Sequence, residues 1–278
     1  QVAIRADGSH DIGLGHLYRS SIVAAELADR GHTVTTLTRT PSHAVRVTPE
    51  SVTVESLPAD GEIVAVTDWI ESKDVDAIVT DSYDIDTNYQ RRLAETGGAV
   101  TVILDDTRFR IHADVFVNGN VYGPELEYDW EGDEPDWCLG TEYLLLREPF
   151  RTYASEHRSF PDSVDDIVAT MGGVDRENRT PTVLRALDRF DLHTTIIVGP
   201  GFETGDEIRA TAAECSSSVT VLEDPEDLPQ YFRQADLAVC TLGTTTYELL
   251  ATQTPIVGIP DNETPIPAAL DERDAAVI

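Results

Sequence analysis

The chain has 278 residues, 41% of them hydrophobic, with 20 basic and 51 acidic side chains and a net charge of −31. The length predicts about two domains, and the apolar content excludes a disordered chain. Such acidity repels phosphate backbones and anionic lipids, so we expect neither nucleic acid nor a membrane as partner. No apolar run is long enough for a membrane span and no signal-peptide pattern stands out, which predicts a cytoplasmic protein.

The basic and sulfur-containing residues also have an unusual distribution. Only Lys73 is a lysine, and the other 19 basic residues are arginines. An acid excess is typical of any solvated surface, but combined with scarce lysine it favours a salt-rich cytoplasm, where counterions screen the repulsion. The cysteines, Cys138, Cys215 and Cys240, are far apart and lack the spacing of a metal site. We therefore expect reduced thiols and no metal.

The first half of the chain alternates apolar strands with amphipathic helices. Strands are predicted at residues 2–6, 33–38, 76–81, 100–106 and 113–118, and helices at 15–31 and 86–97. Residues 119–140 have a polar and aromatic composition that predicts a long loop, typical of a functional or covering segment. The order of strand, helix and strand predicts a parallel sheet with right-handed crossovers.

Near residues 144–150 the pattern begins again. Strands are predicted at residues 165–173, 194–201, 218–224 and 235–241, and helices at 177–190, 204–214, 226–234 and 243–254, followed by the apolar segment 255–260. The chain is therefore predicted to be α/β, with two Rossmann-like doubly wound domains facing each other across a cleft. Their predicted bounds are 1–147 and 165–278, with a linker at 148–164. The last predicted segment is short for such a domain, which predicts a missing C-terminal helix.

The loop after the first strand, within RADGSHDIGLGHLYRS at residues 5–20, is a candidate site. Gly13 and Gly15 allow close backbone approach, and the start of the next helix offers free N–H groups to anionic oxygens. GLGHLY lacks the third glycine of a dinucleotide fingerprint. The helix dipole favours a neutral His16, the form a general base needs, although a capping or packing histidine is the alternative. Arg19, one turn further on the same face, favours the functional interpretation.

Acidic side chains follow two predicted strands. Asp81 ends one strand, with Tyr83 beside it, and Asp105 and Asp106 end the next. Strand carboxyl ends carry the ligands in doubly wound sheets, so these groups are candidates for a site. Helix capping is the alternative for each carboxylate.

Two glycine-containing turns in the second half precede helices. The glycines at residues 172–173 suit either a phosphate or a plain tight turn. The segment GTTT at residues 243–246 offers N–H and hydroxyl donors for a diphosphate, or is an ordinary capped helix start. Glu248, one turn inside that helix, is placed to accept the two hydroxyls of a ribose.

These motifs together resemble the nucleotide-sugar hydrolases of pseudaminic acid biosynthesis, over nearly the whole chain. The N-terminal pattern of that family is matched by Arg5, Asp7, Ser9, Ile12, Gly13, Gly15, His16 and Arg19. Further matches are Asp81, Tyr83, Asp105, Asp106, Asn118, Asn120, Tyr122, the REPF segment 147–150, the MGGVDREN segment 171–178 and Glu248. The chain departs from the family at Asn262 and Glu263, where the family usually has Asn-Gln.

The resemblance implies a glycosyltransferase-B (GT-B) fold without a metal or cofactor. It implies that water replaces UDP at the anomeric carbon of a UDP-linked 2,4-diacetamido-2,4,6-trideoxy sugar. The expected partner is this small UDP-sugar, and the expected state is a monomer or weak homodimer. Two alternatives are a GT-B glycosyltransferase that passes the sugar to an acceptor, and a non-catalytic protein that only binds nucleotide-sugars.

The resemblance also assigns roles to individual residues. The predicted catalytic residues are His16, Tyr83 and Asp81. The predicted substrate-binding residues are Arg5, Asp7, Ser9, Gly13, Gly15, Arg19, Asp105, Asp106, Asn118, Asn120, Gly172, Gly173, Leu222, Gly243, Thr244, Thr245, Glu248 and Asn262. Thr244 and Thr245 are expected at the diphosphate, Glu248 at the ribose, and the backbone near Leu222 at the base.

Overall fold

A computed structural model describes residues 1–260 and 265–278 of the chain. Contacts divide it into two compact units, Gln1–Leu145 and Leu146–Ile278. The segment 148–164, expected to be a linker, belongs to the second unit and contains helix α5 (Glu148–Ala154), because Phe150 is fully buried there. Within the described ranges, no helix is both long enough and apolar enough to cross a bilayer.

The first unit is built on a single parallel sheet. Its strands are β1 (Val2–Ala6), β2 (Val34–Thr38), β3 (Thr53–Ser56), β4 (Ala77–Asp81), β5 (Ala99–Ile103), β6 (Val115–Asn118) and β7 (Asp136–Leu139). Its α-helices are α1 (Gly15–Asp29), α2 (Pro41–Val47), α3 (Glu62–Lys73) and α4 (Thr87–Ala94). The strand order is β3-β2-β1-β4-β5-β6-β7, and every pairing is parallel.

The strands of this sheet are apolar on both faces because helices cover both. Successive side chains of a strand point to opposite faces. Accordingly Ala3 packs in one core cluster with Phe116 and Leu37, whereas its neighbours Val2 and Ile4 pack in another. Burial on both sides explains the short, nearly continuous apolar runs of the sequence.

Part of this unit differs from the sequence-based expectation. Residues 119–140, expected to be a loop, contain the strand β7 and a 3-10 turn at Gly123–Glu125. The strand DWCL alternates poorly and is only partly buried because it lies at the edge of the sheet, so its apolar signal is weak. The elements α2, β3 and α3 also lie where no element was predicted.

The second unit repeats the architecture, with five strands among its described residues. Its strands are β8 (Asp166–Thr170), β9 (His193–Val198), β10 (Val219–Glu223), β11 (Leu237–Thr241) and β12 (Ile256–Ile259). Besides α5, its helices are α6 (Thr180–Leu187), α7 (Gly205–Glu214), α8 (Leu228–Gln234), α9 (Thr244–Ala251) and α10 (Ile266–Asp271). The strand order is β10-β9-β8-β11-β12, again with parallel pairings.

Each sheet has one position where the strand order reverses. In the first unit β1 lies beside β4, and in the second β8 lies beside β11. The loops after such a pair leave in opposite directions, which opens a crevice at the carboxyl ends of the strands. Of the three glycine-containing loops predicted from the sequence, one follows β1 and the other two follow β8 and β11, so each lies at the switch point of its own unit.

Candidate functional site

The loop between β1 and α1 is shaped by its own backbone. Ser9 and Gly13 form an isolated antiparallel bridge, and Gly13 has a φ of 83°, which favours glycine. The Ser9 hydroxyl accepts the backbone N–H groups of Asp11 and Ile12 at 3.2 and 3.4 Å. Ser9 therefore builds the turn that leads into α1, which begins at Gly15.

The His16 side chain is paired with the carboxylate that ends β4. Its Nδ1 lies 2.6 Å from Oδ1 of Asp81, and the two residues are 7% and 0% exposed. The carboxylate can only accept, so Nδ1 carries the proton and donates it. This fixes the tautomer in which Nε2 has a lone pair, the arrangement required of a general base.

Arg19 joins two strand ends through their carboxylates. Its Nε and Nη2 donate to Oδ2 and Oδ1 of Asp81, both at 2.7 Å, and its Nη1 donates to Asp105 at 2.5 Å. Nη2 also lies 3.2 Å from Nδ1 of His16, but both atoms carry protons and share the Asp81 oxygen. Arg19 thus fixes the orientation of the Asp81 carboxylate by a bidentate contact, and Asp81 in turn orients His16.

A chain of polar contacts continues from Asp105. The hydroxyl of Tyr83 donates to Oδ2 of Asp105 at 3.1 Å, and Nδ2 of Asn120 donates to Oδ1 at 2.7 Å. Burial alone would raise the pKa of Asp105, but the charge and hydrogen bonds of Arg19 outweigh it and lower the pKa to about 2. Burial and then the charge of Asp105 raise the pKa of Tyr83, so the phenol remains a neutral donor.

Two aromatic contacts place the Tyr83 ring. It meets the His16 ring edge to face at a centroid distance of 4.6 Å, and the guanidinium of Arg108 lies 3.9 Å from its centre. Asp106, which stays a predicted substrate-binding residue, accepts two hydrogen bonds from Arg108. Arg108 was not singled out from the sequence; its position two residues after the DD pair is the only signal.

Asn118 links this network to an aromatic cluster. Its Oδ1 accepts from Nδ2 of Asn120 at 2.9 Å, and its Nδ2 donates to the Tyr128 hydroxyl at 3.0 Å. The Tyr128 ring lies 5.4 Å from that of Trp137, which in turn lies 5.7 Å from Trp130. The aromatic residues of the polar segment therefore buttress the asparagines.

Arg5 and Asp7 form a separate buried network. They are 0% and 1% exposed, and Nη2 of Arg5 donates to Asp7 at 2.6 Å. Arg5 also bonds Glu62, and Asp7 accepts from the Thr38 hydroxyl and from Arg39. Burial alone would raise the pKa of Asp7, but Arg5 and Arg39 lower it to about 2. Nε and Nη2 of Arg5 and both carboxylate oxygens of Asp7 are engaged within the protein, whereas Nη1 of Arg5 is buried with no hydrogen-bond partner among the described residues. The pair braces the loop after β1, and its contact with substrate stays a prediction.

The second unit brings its two glycine-containing turns together. Gly172 has a φ of 81°, and a Cβ built on it would lie 3.7 Å from the Thr245 hydroxyl. A Cβ on Gly199 would lie 2.4 Å from the Gly172 carbonyl, so the turn after β9 also packs there. At the start of α9 the Gly243 N–H donates to the Thr246 hydroxyl at 3.1 Å. The first turn of α9, which contains Thr244 and Thr245, therefore lies beside the Gly172 loop.

The carboxylate of Glu248 lies on α9, next to Arg147. Nη2 of Arg147 donates to Oε1 of Glu248 at 3.0 Å. Burial raises the pKa of Glu248, and the charge and hydrogen bond of Arg147 oppose that rise. Arg147 belongs to the REPF segment but was not among the predicted site residues.

Three predicted positions of the second half remain: Gly173, Leu222 and Asn262. Leu222 lies on β10, at the sheet edge and separated from β8 by β9. Gly173 follows Gly172, and its carbonyl accepts the Gly201 N–H at 3.0 Å, which makes it part of a turn. Asn262 lies outside the described residues. In ranges 1–260 and 265–278, no group of three His, Cys, Asp or Glu side chains is arranged to hold a metal ion.

Comparisons with other sequences find distant relatives. No protein-family model matches the chain. It is 25% identical over 95% of its length to an uncharacterized protein of Methanocaldococcus jannaschii, and spans 56%, about half, of that relative. It is 26% identical over 69% of its length to the UDP-2,4-diacetamido-2,4,6-trideoxy-beta-L-altropyranose hydrolase of Campylobacter jejuni, spanning 67% of it. It is 23% identical over 93% of its length to the spore coat polysaccharide biosynthesis protein SpsG of Bacillus subtilis, spanning 75% of it.

Solved structures share the architecture of the whole chain. MurG of Acinetobacter baumannii matches with a TM-score of 0.68 and 15% identity, over all of this chain and 85% of MurG. UGT2 of Phytolacca americana, solved with UDP-2-fluoro-glucose, matches with a TM-score of 0.62 and 13% identity, over 99% of this chain and 84% of UGT2. These matches show the fold alone, which is of the GT-B type. The α/β class with two Rossmann-like sheets, predicted from the sequence, is confirmed.

Proposed function

We propose that the chain hydrolyses a UDP-linked 2,4-diacetamido-2,4,6-trideoxy hexose to UDP and the free sugar. The observation that carries the proposal is the His16–Asp81 pair, which leaves Nε2 of His16 as a base at the switch point of the first sheet. The hydrolase from Campylobacter jejuni, 26% identical to this chain, supplies the substrate class.

The reaction is a displacement at the anomeric carbon. The oxygen of a water molecule bonds to that carbon as the bond to the β-phosphate oxygen breaks, and UDP leaves with the electron pair. Nε2 of His16 takes the proton of the water, and Asp81 stabilises the resulting imidazolium. Proton transfer of this kind contributes about 10²–10⁴ to the rate.

The first unit is proposed to bind the sugar and the second to bind UDP. Around His16, the Arg19 guanidinium, the Tyr83 hydroxyl and the Asn120 amide all donate to Asp105. In the second unit, the N–H groups at the start of α9 and the hydroxyls of Thr244 and Thr245 suit a diphosphate, because a helix N-terminus stabilises anions. Glu248 suits the ribose hydroxyls.

The second candidate is a glycosyltransferase that passes the sugar to an acceptor hydroxyl. The solved structures that match the chain favour it, because one of them is a UDP-glucosyltransferase of Polygonum tinctorium capable of glucosylating indoxyl. The same base would then deprotonate the acceptor. The two functions differ in products: only hydrolysis releases free sugar and UDP in equal amounts without an acceptor.

The test combines product analysis with a base variant. The chain is incubated with the UDP-linked diacetamido sugar in molar salt without an acceptor, and products are followed by NMR. We expect free sugar and UDP from the unaltered chain, and His16→Ala should reduce kcat about 10²–10⁴-fold while UDP still binds. The matched control is His193→Ala, since His193 also contacts an aspartate, Asp166, at 2.8 Å but lies at the surface of the second unit.

Three outcomes would contradict the proposal. UDP release that requires an added hydroxyl acceptor would establish the transferase. Turnover of His16→Ala within a few-fold of the unaltered chain would remove His16 as the base. Tight UDP binding with no turnover would leave a non-catalytic binding protein.

A further inference from the structure

The contact between Arg147 and Glu248 joins two helices that are far apart in sequence. Arg147 is the residue immediately before α5, and Glu248 lies in α9, 101 positions later. The hydrogen bond from Nη2 to Oε1 is 3.0 Å long, and the two side chains are 38% and 19% exposed. A cation at this distance sets the direction in which the carboxylate points.

The arginine is itself held in place by the core of the second unit. Its guanidinium lies 4.9 Å from the centre of the Phe150 ring. Phe150 is fully buried, and its ring lies 6.1 Å from that of Phe232, also fully buried. A planar guanidinium against an aromatic ring is more restricted than a free arginine side chain. Arg147 therefore offers Glu248 a partner fixed by packing.

One carboxylate oxygen of Glu248, Oε2, is available to accept hydrogen bonds from a ligand. Oε1 accepts from Arg147, and among the residues that the structure describes no hydrogen bond is made to Oε2. The two adjacent hydroxyls of a ribose are both donors, and an ionised carboxylate has about four acceptor positions for them. Burial raises the pKa of Glu248 and Arg147 opposes the rise, so the arginine also favours the form that only accepts.

We propose that Arg147 is a positioning residue that orients Glu248 toward the ribose diol of UDP and so makes the second unit select ribonucleotides over 2′-deoxyribonucleotides. The inference rests on the proposed function, in which Glu248 accepts the ribose hydroxyls. It differs from a role for Arg147 as a ligand of the diphosphate, because a phosphate contact would not depend on the 2′-hydroxyl.

The experiment measures binding of UDP and 2′-deoxy-UDP to the full chain by calorimetry. A hydrogen bond between a hydroxyl and a charged group predicts that the unaltered chain prefers UDP by about 10-fold or more. Arg147→Met should lower this preference at least about fivefold, and Arg147→Lys should restore part of it. Glu248→Gln should lower the preference as well, and adding Arg147→Met to it should have little further effect, because the two residues act as one unit.

A matched control lies on the same helix. Arg151→Met removes an arginine of α5 that is exposed, and it should leave both affinities unchanged. Circular dichroism on each variant verifies that the helical content of the chain is unchanged. If Arg147→Met does not fold, the same comparison is made with Arg147→Lys and Arg147→Gln, which keep polar heads.

The outcomes distinguish a failure of the role of Arg147 from a failure of the proposed function on which that role rests. If Arg147→Met weakens UDP and 2′-deoxy-UDP by the same factor while Glu248→Gln abolishes the preference, Glu248 keeps its role and the positioning role of Arg147 is wrong. If the unaltered chain binds both nucleotides equally, the ribose role of Glu248 and the inference are both wrong.

Discussion

Asp81→Asn tests the geometry of the proposed base most directly. The two side chains have nearly the same shape, so the change removes a charge and one acceptor without making a cavity. Asp81 is fully buried and accepts from four donors: Nδ1 of His16, Nε and Nη2 of Arg19, and the Ser20 hydroxyl. An asparagine has one acceptor oxygen, and its amide nitrogen must face some of these donors.

Both orientations of the new amide are unfavourable. With its nitrogen at the position of Oδ1, it faces Nη2 of Arg19 and donates to Nδ1 of His16, which moves the histidine proton to Nε2 and removes the base. With its nitrogen at the position of Oδ2, it faces Nε of Arg19 and the Ser20 hydroxyl. Each loses at least one hydrogen bond to a buried cation, worth about 1.5–3 kcal/mol. We expect a loss of stability of about 2–3 kcal/mol and a fall in kcat of about 10²–10⁴.

The assay follows UDP release to give kcat and KM, and urea unfolding to give stability. The control is Asp166→Asn, because Asp166 also contacts a histidine, His193, but both are exposed on the second unit. It should change stability by less than about 0.5 kcal/mol and leave kcat unchanged. A folded Asp81→Asn protein with kcat within about threefold of the unaltered chain would show that the carboxylate does not set the tautomer of His16.

Two further predictions concern stability. Arg158 is buried and donates to the Thr254 hydroxyl at 2.8 Å, to the Gln253 carbonyl at 3.2 Å and to the Ala235 carbonyl. Arg158→Met should therefore lower the free energy of unfolding by about 2–4 kcal/mol. An unchanged urea midpoint would contradict this prediction. The second prediction concerns stability in acid. Burial raises the pKa of Asp7 and of Asp105, but the neighbouring arginines lower it further, so that both values are about 2 in the folded chain. Because these values lie below that of an unfolded aspartate, each carboxylate stabilises the fold above about pH 4, and about 2 kcal/mol is lost per residue as pH falls from 4 to 2. Melting temperatures from pH 5 to 2 measure the effect, and a flat profile would refute it.

The alternation of strands and helices was sufficient to predict the fold class because buried parallel strands are short, apolar and separated by helices of regular period. The same pattern put Asp81 at a strand end, and the parallel order of β1 and β4 brings it to His16. Arg147 was missed because its contact with Glu248 depends on packing between distant segments. Arg108 was missed because its contact with the Tyr83 ring also does, although its hydrogen bonds to Asp106 are local. Arg5 and Asp7 matched a family motif, but only the structure shows that both side chains are engaged inside the protein. The salt-rich source stays a prediction.

The aromatic cluster beside Asn118 has a practical consequence for spectroscopy. All three tryptophans of the chain, Trp69, Trp130 and Trp137, lie in the first unit. Tryptophan emission therefore reports on that unit alone, whereas the second is silent at the same excitation. Since Trp137 packs on the tyrosine that accepts a hydrogen bond from Asn118, its emission also senses the polar network around Asp105. Emission and circular dichroism recorded on one sample can thus separate the unfolding of one half of the chain from that of the other.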